Sequence, residues 1–546
     1  MESKRIDEIL KQNEYLQSQR GNWDSGYQDI ASFVLPRKAW INSIRVMGEQ
    51  IHLNFLYSSR AIRDLKKSAA GFQSKLTNPS SKWFGFQCLD IKKRESRIIQ
   101  KYFKEVEDIQ SSVMARSNFY NTNLEFYTDA LAFGTANILT QEDPKQHVRY
   151  TSVPIEQYNF EEDADGRVCK VYRNFHFTAN QCYSRWQEKC SPDMKKAIAD
   201  GEGYKLFEIL HFVEERYARN ASKRDYLNMP WASCWIAKKE KHYLDEKGFE
   251  ENPYSVTRFW KDANDPRGFS PSMDVIATIK LVNAMKRTFI RAAMKASDPA
   301  TMMPNKGWLN APNLNPSAVN YYDAKKTNPD AWRAIENKGN FQVSIDAMRL
   351  EDEEIDQAYY IPMFEAMANI TKKMTIPEVQ QRIAENMQFV GPTIGRFLDE
   401  GIGPQLLRTY AILNRKGLFP DPPKELFDEK TGEGEEIDII YLSPLAKAQR
   451  QSEITGLQAW LQLVREIAQV RSEAADVPDV DKIVVSSGEL LGVDPEFCSE
   501  KRIIDAIREK RAQTLQMQQQ IEMSNQAADT AHKGAQAQKA MAEASK

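Results

Sequence analysis

The sequence predicts an α+β chain of several lobes, and three observations carry that prediction. Two long helical segments bracket a turn-rich module between Ser270 and Gly417. From Val148 to about Phe259 the pattern changes to short apolar runs separated by turn residues, which is the grammar of strands. From Leu445 onward it returns to helix. A length of 546 residues exceeds one cooperative core, so roughly two to four lobes are expected.

Taken in order, residues 4–35 read as helix, with Ile6, Ile9, Leu10, Leu16, Trp23, Tyr27, Ile30 and Phe33 near helical spacing. Gly21 and Gly26 weaken its continuity and Pro36 ends it. Asn54–Leu76 reads as a second helix with Leu56, Ile62, Leu65, Ala69, Phe72 and Leu76 on its apolar side. Its basic residues, Arg60, Arg63, Lys66, Lys67 and Lys75, are read as a solvated face in preference to a nucleic-acid patch. Trp83–Phe86 is a strand, Glu95–Arg116 and Asn118–Phe133 are helices, and Gly134–Glu142 is a strand. The strand region then offers Tyr150–Val153, Gln157–Glu161, Val168–Phe177, Lys205–Glu215, Ala232–Lys238 and Tyr254–Trp260, with a helix inserted at Thr178–Lys189. It reads as a mostly antiparallel lobe whose tryptophans, Trp186, Trp231, Trp235 and Trp260, serve packing.

The first long rod has a helix start signal. Ser270 is a good N-cap, Pro271 fits the first turn, and Asp274 lies near the positive end of the dipole. No Gly or Pro interrupts Met273–Ala296, about 26 residues counted from the cap, or roughly 39 Å of helix. At 100° per residue, Val275, Val282, Met285, Phe289, Ala292, Ala293 and Ala296 share an apolar side. Lys280, Arg287, Arg291 and Lys295 form a basic stripe opposite. Asp298–Asn340 carries five prolines, which disfavours long elements, and short strands are expected near Gly307–Asn310 and Phe341–Ile345. A second rod starts at Glu351–Ile370 with a turn at Thr371–Thr375. Thr375 and Glu378, with Pro377 between, have capping-box spacing for a further run ending near Lys416. Gly391-Pro392 and Gly401-Ile402-Gly403-Pro404 interrupt that run, and Gly417 with Pro420 stops it. Phe419–Glu436 is an exposed connection and Ile437–Leu442 a strand. Leu445–Arg471, Val480–Asp494 and Ser499–Met523 hold the last helices, and an Ala/Gln/Lys tail begins at Ser524.

Composition excludes several classes. The fractions of 41% hydrophobic and 27% charged residues are those of a folded soluble chain. No apolar run approaches a membrane span, so no membrane insertion is expected, and Met1–Arg20 lacks a signal-peptide core. Six scattered cysteines point to a reducing compartment. A net charge of -2 argues against a surface that grips nucleic acid throughout, although it permits a channel that nucleic acid traverses.

Catalytic signals are poor, and no enzyme and no cofactor is expected. There is no phosphate-cradling Gly-x-x-x-x-Gly-Lys loop and no Gly-x-Ser-x-Gly elbow. Gly401-x-Gly403 runs into Pro404, which has no N–H to donate. Cys182 and Cys190 lack a second cysteine pair, and His211 with Glu214 stands alone, so no metal is expected. The run Glu351, Asp352, Glu353, Glu354 and Asp356 reads as a solvated acidic helix start rather than a two-metal site.

The central region resembles the head-to-tail connecting, or portal, proteins of short-tailed bacteriophages. The resemblance rests on the segment from Asp265 to Asp274 (DPRGFSPSMD), on Met374–Arg382 (MTIPEVQQR), on Gly391–Arg408 (GPTIGRFLDEGIGPQLLR), and on Asn414–Pro420 (NRKGLFP) following in the same order. It extends more loosely over nearly the whole chain. Two features depart from the family: Pro266-Arg267-Gly268-Phe269 replaces an aromatic Tyr-Gly-Arg-type approach, and Thr375-Ile376-Pro377-Glu378 replaces a Thr-Ala-Thr-Glu-like start. The resemblance implies a multidomain subunit with long stem helices, an α/β wing, a small clip and a helical crown, usually in a ring of twelve around a DNA channel. On this chain it implies an N-terminal and wing region at 1–271, stem helices at 272–297 and 351–370, and a clip at 298–350. A channel loop at 371–375, a wing helix and return strand at 376–444, a crown at 445–523 and a tail at 524–546 complete the map. Lys372 and Lys373 would face the channel. The basic stripe of Lys280, Arg287, Arg291 and Lys295 would be a stem surface, with Val275, Val282, Met285, Phe289 and Ala293 packing the stem. The implied partners are further copies of the chain, a major capsid or scaffolding protein, the packaging ATPase (terminase), tail or adaptor proteins, and double-stranded DNA in transit. The implied location is the portal vertex of the virion, after assembly in the host cytoplasm. A tail adaptor or scaffold without a conduit is the alternative reading, and a metal-dependent nuclease a distant third.

Overall fold

In the computed structural model the described residues are 2–43, 53–94, 96–220, 222–223, 225–297, 301–302, 323, 325, 333–334, 341–368, 391–427, 437–442, 444–471, 473, 477–491, 504, 506–521, 530, 533–534 and 537. The helices are α1 (Glu2–Val34), α2 (Arg60–Leu76), α3 (Ile91–Arg94), α4 (Arg97–Arg116), α5 (Phe119–Phe133), α6 (Ala179–Trp186), α7 (Pro192–Ala199), α8 (Pro271–Asp274) and α9 (Ile276–Ser297). They continue with α10 (Phe341–Ala358), α11 (Ile361–Ala368), α12 (Gly403–Arg415), α13 (Pro444–Val470) and α14 (Val480–Leu491). The strands are β1 (Phe84–Cys88), β2 (Thr135–Asp143), β3 (His147–Val153), β4 (Tyr158–Glu162), β5 (Val168–Thr178), β6 (Leu206–Glu215) and β7 (Trp231–Ala237). After them come β8 (His242–Phe249), β9 (Tyr254–Arg258), β10 (Trp260–Lys261), β11 (Gly268–Phe269), β12 (Thr301–Met302), β13 (Arg333–Ala334) and β14 (Ile437–Tyr441). The chain divides into two compact units. One comprises residues 1–84, 106–420 and 443–449, and the other 85–105, 421–442 and 450–546.

The larger unit is built on two antiparallel sheets, of order β4-β5-β6-β7-β8 and β3-β2-β9. Side chains alternate across the five-stranded sheet, so both its faces need cover. Tyr172, Leu210, Phe212, Cys234 and Ile236 meet Ile6, Ile9 and Leu10 of α1 on one face. Phe175, Ile209, Trp235 and Leu244 meet Cys182 and Trp186 of α6, Cys190, and Met194 of α7 on the other. α6 starts on a capping box made by Thr178 and Gln181. The isolated His211 is part of this core. It is buried between the Tyr254 hydroxyl at 2.6 Å and the Ser233 hydroxyl at 3.0 Å, and it stacks on Trp235. Burial holds its imidazole well below the ordinary value, in the neutral form. α1 runs through Gly21 and Gly26 without a break, as its residues keep their helical bonds.

A second core gathers aromatic rings from distant segments: Phe72 of α2, Tyr127 of α5, Phe259, Tyr360, Phe364 of α11, and Phe397. Phe397 opens a π-helical segment, Phe397–Ile402, that leads into α12. This is the expected interruption at Gly401-Ile402-Gly403-Pro404. Pro404 cannot donate the i→i−4 bond, and the wider π turn accommodates the loss without ending the helix.

Three local expectations are corrected. Asn54–Leu76 is helical only from Arg60, because the N–H groups of Tyr57 and Ser58 donate to the Asn283 side chain of α9 at 2.6 and 3.1 Å. Phe341–Ile345 is the first turn of α10, not a strand, and Val343 and Ile345 stay exposed on its surface. The acidic run is therefore ten residues inside a helix, not at its start. Asp356 takes two bonds from the Arg60 guanidinium of α2, and burial raises Asp352 above the ordinary carboxyl range. In addition, β8 and α7 are elements that periodicity did not reveal.

In the smaller unit, β14 pairs with β1, and Gln87 donates to Asp438 at 2.7 Å. α13, α14 and a helical stretch over 506–521 account for most of its other described residues. Trp460, Leu463, Ile467, Leu515 and Met517 remain exposed on them.

Candidate functional site

The two rods are neighbours: α9 packs against α10. The first begins as the sequence predicts. Ser270 accepts the Met273 N–H at 3.1 Å and donates to the Ala132 carbonyl at 2.8 Å, and Pro271 occupies the first turn. A one-residue break at Val275 separates α8 from α9.

The foot of the rods is clamped by buried polar groups. Ser272 donates to the Leu131 carbonyl at 2.8 Å and accepts from the Tyr359 hydroxyl at 2.7 Å, joining the start of the first rod to the end of α10. Tyr359 is followed by Tyr360 at φ 59°, which breaks the expected Glu351–Ile370 helix into α10 and α11. A left-handed conformation at a bulky residue costs about 1–2 kcal/mol, and the ring of Tyr360 is held against Phe72 and Phe259. Asn283 completes the clamp by accepting the two N–H groups named above and donating to the Phe55 carbonyl at 2.9 Å. Beside it, Arg60 is shared by Asp64 and Asp356. Burial pushes the Asp64 carboxyl up to about 6, with the nearby Asp356 adding to the rise and Arg60 opposing it.

The predicted packing residues divide along the rod. Val275 and Val282 are buried, with Ile279 between them, whereas Met285, Phe289 and Ala293 are only half-buried. Ile279 and Asn283 were not among the expected residues. Ile279 fits the 100° pattern at i+4 from Val275, but Asn283 is polar and gives no hydrophobic signal.

The basic stripe divides too. Lys280 pairs with Asp29 of α1 at 2.7 Å and lies 5.8 Å from the Phe33 ring, and Arg287 lies 5.9 Å from the Tyr57 ring. Arg291 and Lys295 are exposed and pair with no described residue. Lys372 and Lys373 lie outside the described residues, as does most of the segment between the rods. On their outer sides the rods leave large apolar groups uncovered, Leu281 at 48% and Met294 at 65% exposure, with Val343 and Leu350 opposite on α10.

Among the described residues no three His, Cys, Asp or Glu side chains are arranged to hold a metal ion. Cys182 and Cys190 are buried thiols raised by desolvation. No described helix is long and apolar enough to cross a membrane. Among the described residues the geometry is thus that of a two-helix strut clamped at its foot, and no pocket there gathers converging reactive groups.

Comparison with known proteins adds identity to that geometry. The family described as bacteriophage head to tail connecting protein matches residues 6–498. A probable portal protein of Bordetella phage BPP-1 is 27% identical over 529 residues, covering 95% of this chain and 93% of its own length. The portal protein of Salmonella phage epsilon15 is 25% identical over 533 residues, covering 96% and 94%. Among solved structures, a chain from the neck of an empty GTA particle is similar over 80% of this chain and 90% of its own, at 13% identity and a TM-score of 0.35.

Proposed function

The chain belongs to the bacteriophage head to tail connecting protein family, and from that premise we propose that it works as a portal. Copies of it close into a ring at one vertex of the capsid, and double-stranded DNA passes through the ring during packaging and ejection. The observation that carries this reading is the match over 493 consecutive residues, 6–498, together with two portal relatives that align along more than nine-tenths of both lengths.

The work is mechanical. The rods span the ring wall as its stem, the segment between them docks the packaging ATPase, and tail or adaptor proteins bind once packaging ends. ATP is hydrolysed by the partner. Arg291 and Lys295, exposed and unpaired by described residues, repeat around the ring as a diffuse cationic band. Each contact is weak and screened by salt, which suits passage rather than retention. Lys372 and Lys373 add further rings on the loop at 371–375, and a chain of net charge -2 leaves the duplex free to slide.

The deciding experiment is the mass and symmetry of the purified assembly, with negative-stain images of its axis. A closed ring with an opening of about the width of a DNA duplex is the expected result. A chain that stays monomeric under capsid-assembly conditions, or a ring with a sealed axis, removes the conduit reading.

A further inference from the structure

The connection between β6 and β7, residues 216–230, is long for a hairpin, and several of its described residues are tied down. Arg216 donates to the carbonyls of Tyr226 and Met229 at 2.8 and 3.3 Å and faces Glu246 at 3.4 Å. Asn228 accepts the Asn220 N–H at 3.0 Å and donates to Asp225 at 2.6 Å. The loop then folds back onto β8 over Gly248. A Cβ there would lie 2.4 Å from the Tyr226 carbonyl and 2.6 Å from Met229, so only glycine allows this approach.

What this scaffold displays is one-sided in charge. Residues 216–227 (RYARNASKRDYL) contain four basic groups and one acid in a chain of net charge -2. The acid, Asp225, is exposed but accepts the Asn228 N–H and side-chain amide at 2.9 and 2.6 Å, and Arg216 is taken up by the loop carbonyls and by Glu246. Arg219 and Lys223 point outward and pair with no described residue. Tyr217, 76% exposed, and Tyr226 stand beside them in the chain. A loop that exposes two cations without described partners, beside two exposed tyrosines of which Tyr217 donates to Glu215 at 3.3 Å, offers contacts to an anionic surface. Protein-binding patches have apolar centres depleted in lysine, and here Leu227 is the one large aliphatic residue exposed among the described residues of the loop. Phosphate backbones are held by this same set of arginine, lysine, serine, asparagine and tyrosine.

We propose that the β6–β7 loop is a contact for the phosphate backbone of double-stranded DNA, separate from the rods. The choice of duplex DNA rests on the portal reading, whereas the cationic surface rests on the loop alone. The test uses a covalently closed circular duplex, which cannot thread a closed ring and so reports contact outside any channel. Binding to the intact assembly is measured from about 50 to 200 mM salt for the wild type and for Arg219→Gln with Lys223→Gln, which alters exposed side chains only. Loss of two phosphate contacts should lower the log–log salt slope by about two per engaged subunit. The wild type's loss of affinity over that fourfold salt range should therefore exceed the variant's by about 12-fold for each engaged subunit, the factors multiplying. Tyr217→Ala should weaken binding and leave the slope unchanged. A double variant that binds the circle as the wild type does overturns the proposal, as does poly-glutamate of matched charge competing equally well with the circle. Images of the same preparations separate the two readings. A ring with an open axis and unchanged circle binding in the double variant removes only the loop contact. A chain that forms no ring but loses circle binding in the double variant keeps the loop contact and removes the portal.

Discussion

Replacing Asn283 by alanine tests how the first rod is tied to the rest of its unit. The side chain makes three hydrogen bonds, accepting from Tyr57 at 2.6 Å and Ser58 at 3.1 Å and donating to the Phe55 carbonyl at 2.9 Å. A net bond contributes about 1 kcal/mol, and although Asn283 is buried its backbone partners at residues 55–58 are partly exposed, so water replaces part of what is lost. The expected cost is about 2 kcal/mol, concentrated in the opening of residues 53–59. A 62.8 kDa chain of two units does not unfold in one step, so the appropriate assay is hydrogen exchange at the amides concerned. Exchange at Tyr57 and Ser58 should accelerate about 30-fold, with the α5 amides unchanged. Asn283→Asp keeps the acceptor and loses the donor, so its effect there should be smaller. Rates at Tyr57 and Ser58 that stay within about twofold of wild type in the alanine variant would refute the clamp.

The remaining buried groups give three further expectations. Asp64 is raised by burial from 3.8 to about 6, so its contribution to stability is present below about pH 4 and is lost as pH rises through about 6. Asp64→Asn should flatten the pH dependence of the thermal midpoint over that interval. His211 acts in the opposite direction. Its depressed value means that stability is full above its ordinary 6.5 and falls on acidification, so His211→Gln should reduce the loss between about pH 7 and 5, followed by tryptophan fluorescence. Gly134 ends α5 at φ 74°, and a Cβ there would lie 2.2 Å from the Gly268 carbonyl. Gly134→Ala should lower the thermal midpoint by several degrees more than Gly201→Ala, where φ is 78° but nothing lies within 4 Å.

Elements governed by neighbours in sequence were legible, and those governed by distant ones were not. The N-cap at Ser270 and the strands at Val168–Phe177 and Lys205–Glu215 follow from local chemistry, and the structure reproduces them within a residue or two. The start of α2 is set by a side chain more than 220 positions away, so no local signal marks it. β8 escaped because His242–Phe249 is mostly polar and charged, which suits an edge strand and resembles a loop. The hinge at Tyr360 was equally hidden, since a tyrosine in the left-handed region is imposed by the packing of its ring and by the Tyr359–Ser272 bond. At the site, periodicity identified the two sides of the first rod. It could not tell that the Lys280 end is neutralised by Asp29 while the Lys295 end has no described partner.

That difference between the two ends of the rod bears on assembly. Val275, Ile279 and Val282 bury their side chains within one protomer, and the polar clamp secures the same end. Toward the other end burial fades and Met294 is left exposed, while Leu281 beside the buried Val282, and Val343 and Leu350 on α10, also face away from the protomer's core, for something outside the described protomer to cover. In the proposed ring that cover is the next copy. A substitution such as Val282→Asp does not probe that interface, because a charge there is buried inside the protomer and destabilises it before assembly begins. Leu281→Glu with Met294→Glu changes only exposed positions. It should leave the circular dichroism and thermal midpoint of the protomer within a few degrees of wild type, while repulsion and lost apolar burial shift the purified protein from ring to monomer. Size-exclusion chromatography with light scattering reads the result. A double variant that forms rings as readily as wild type would show that the outer sides of the rods do not meet a neighbour, and the stem role proposed for them would fall with that result.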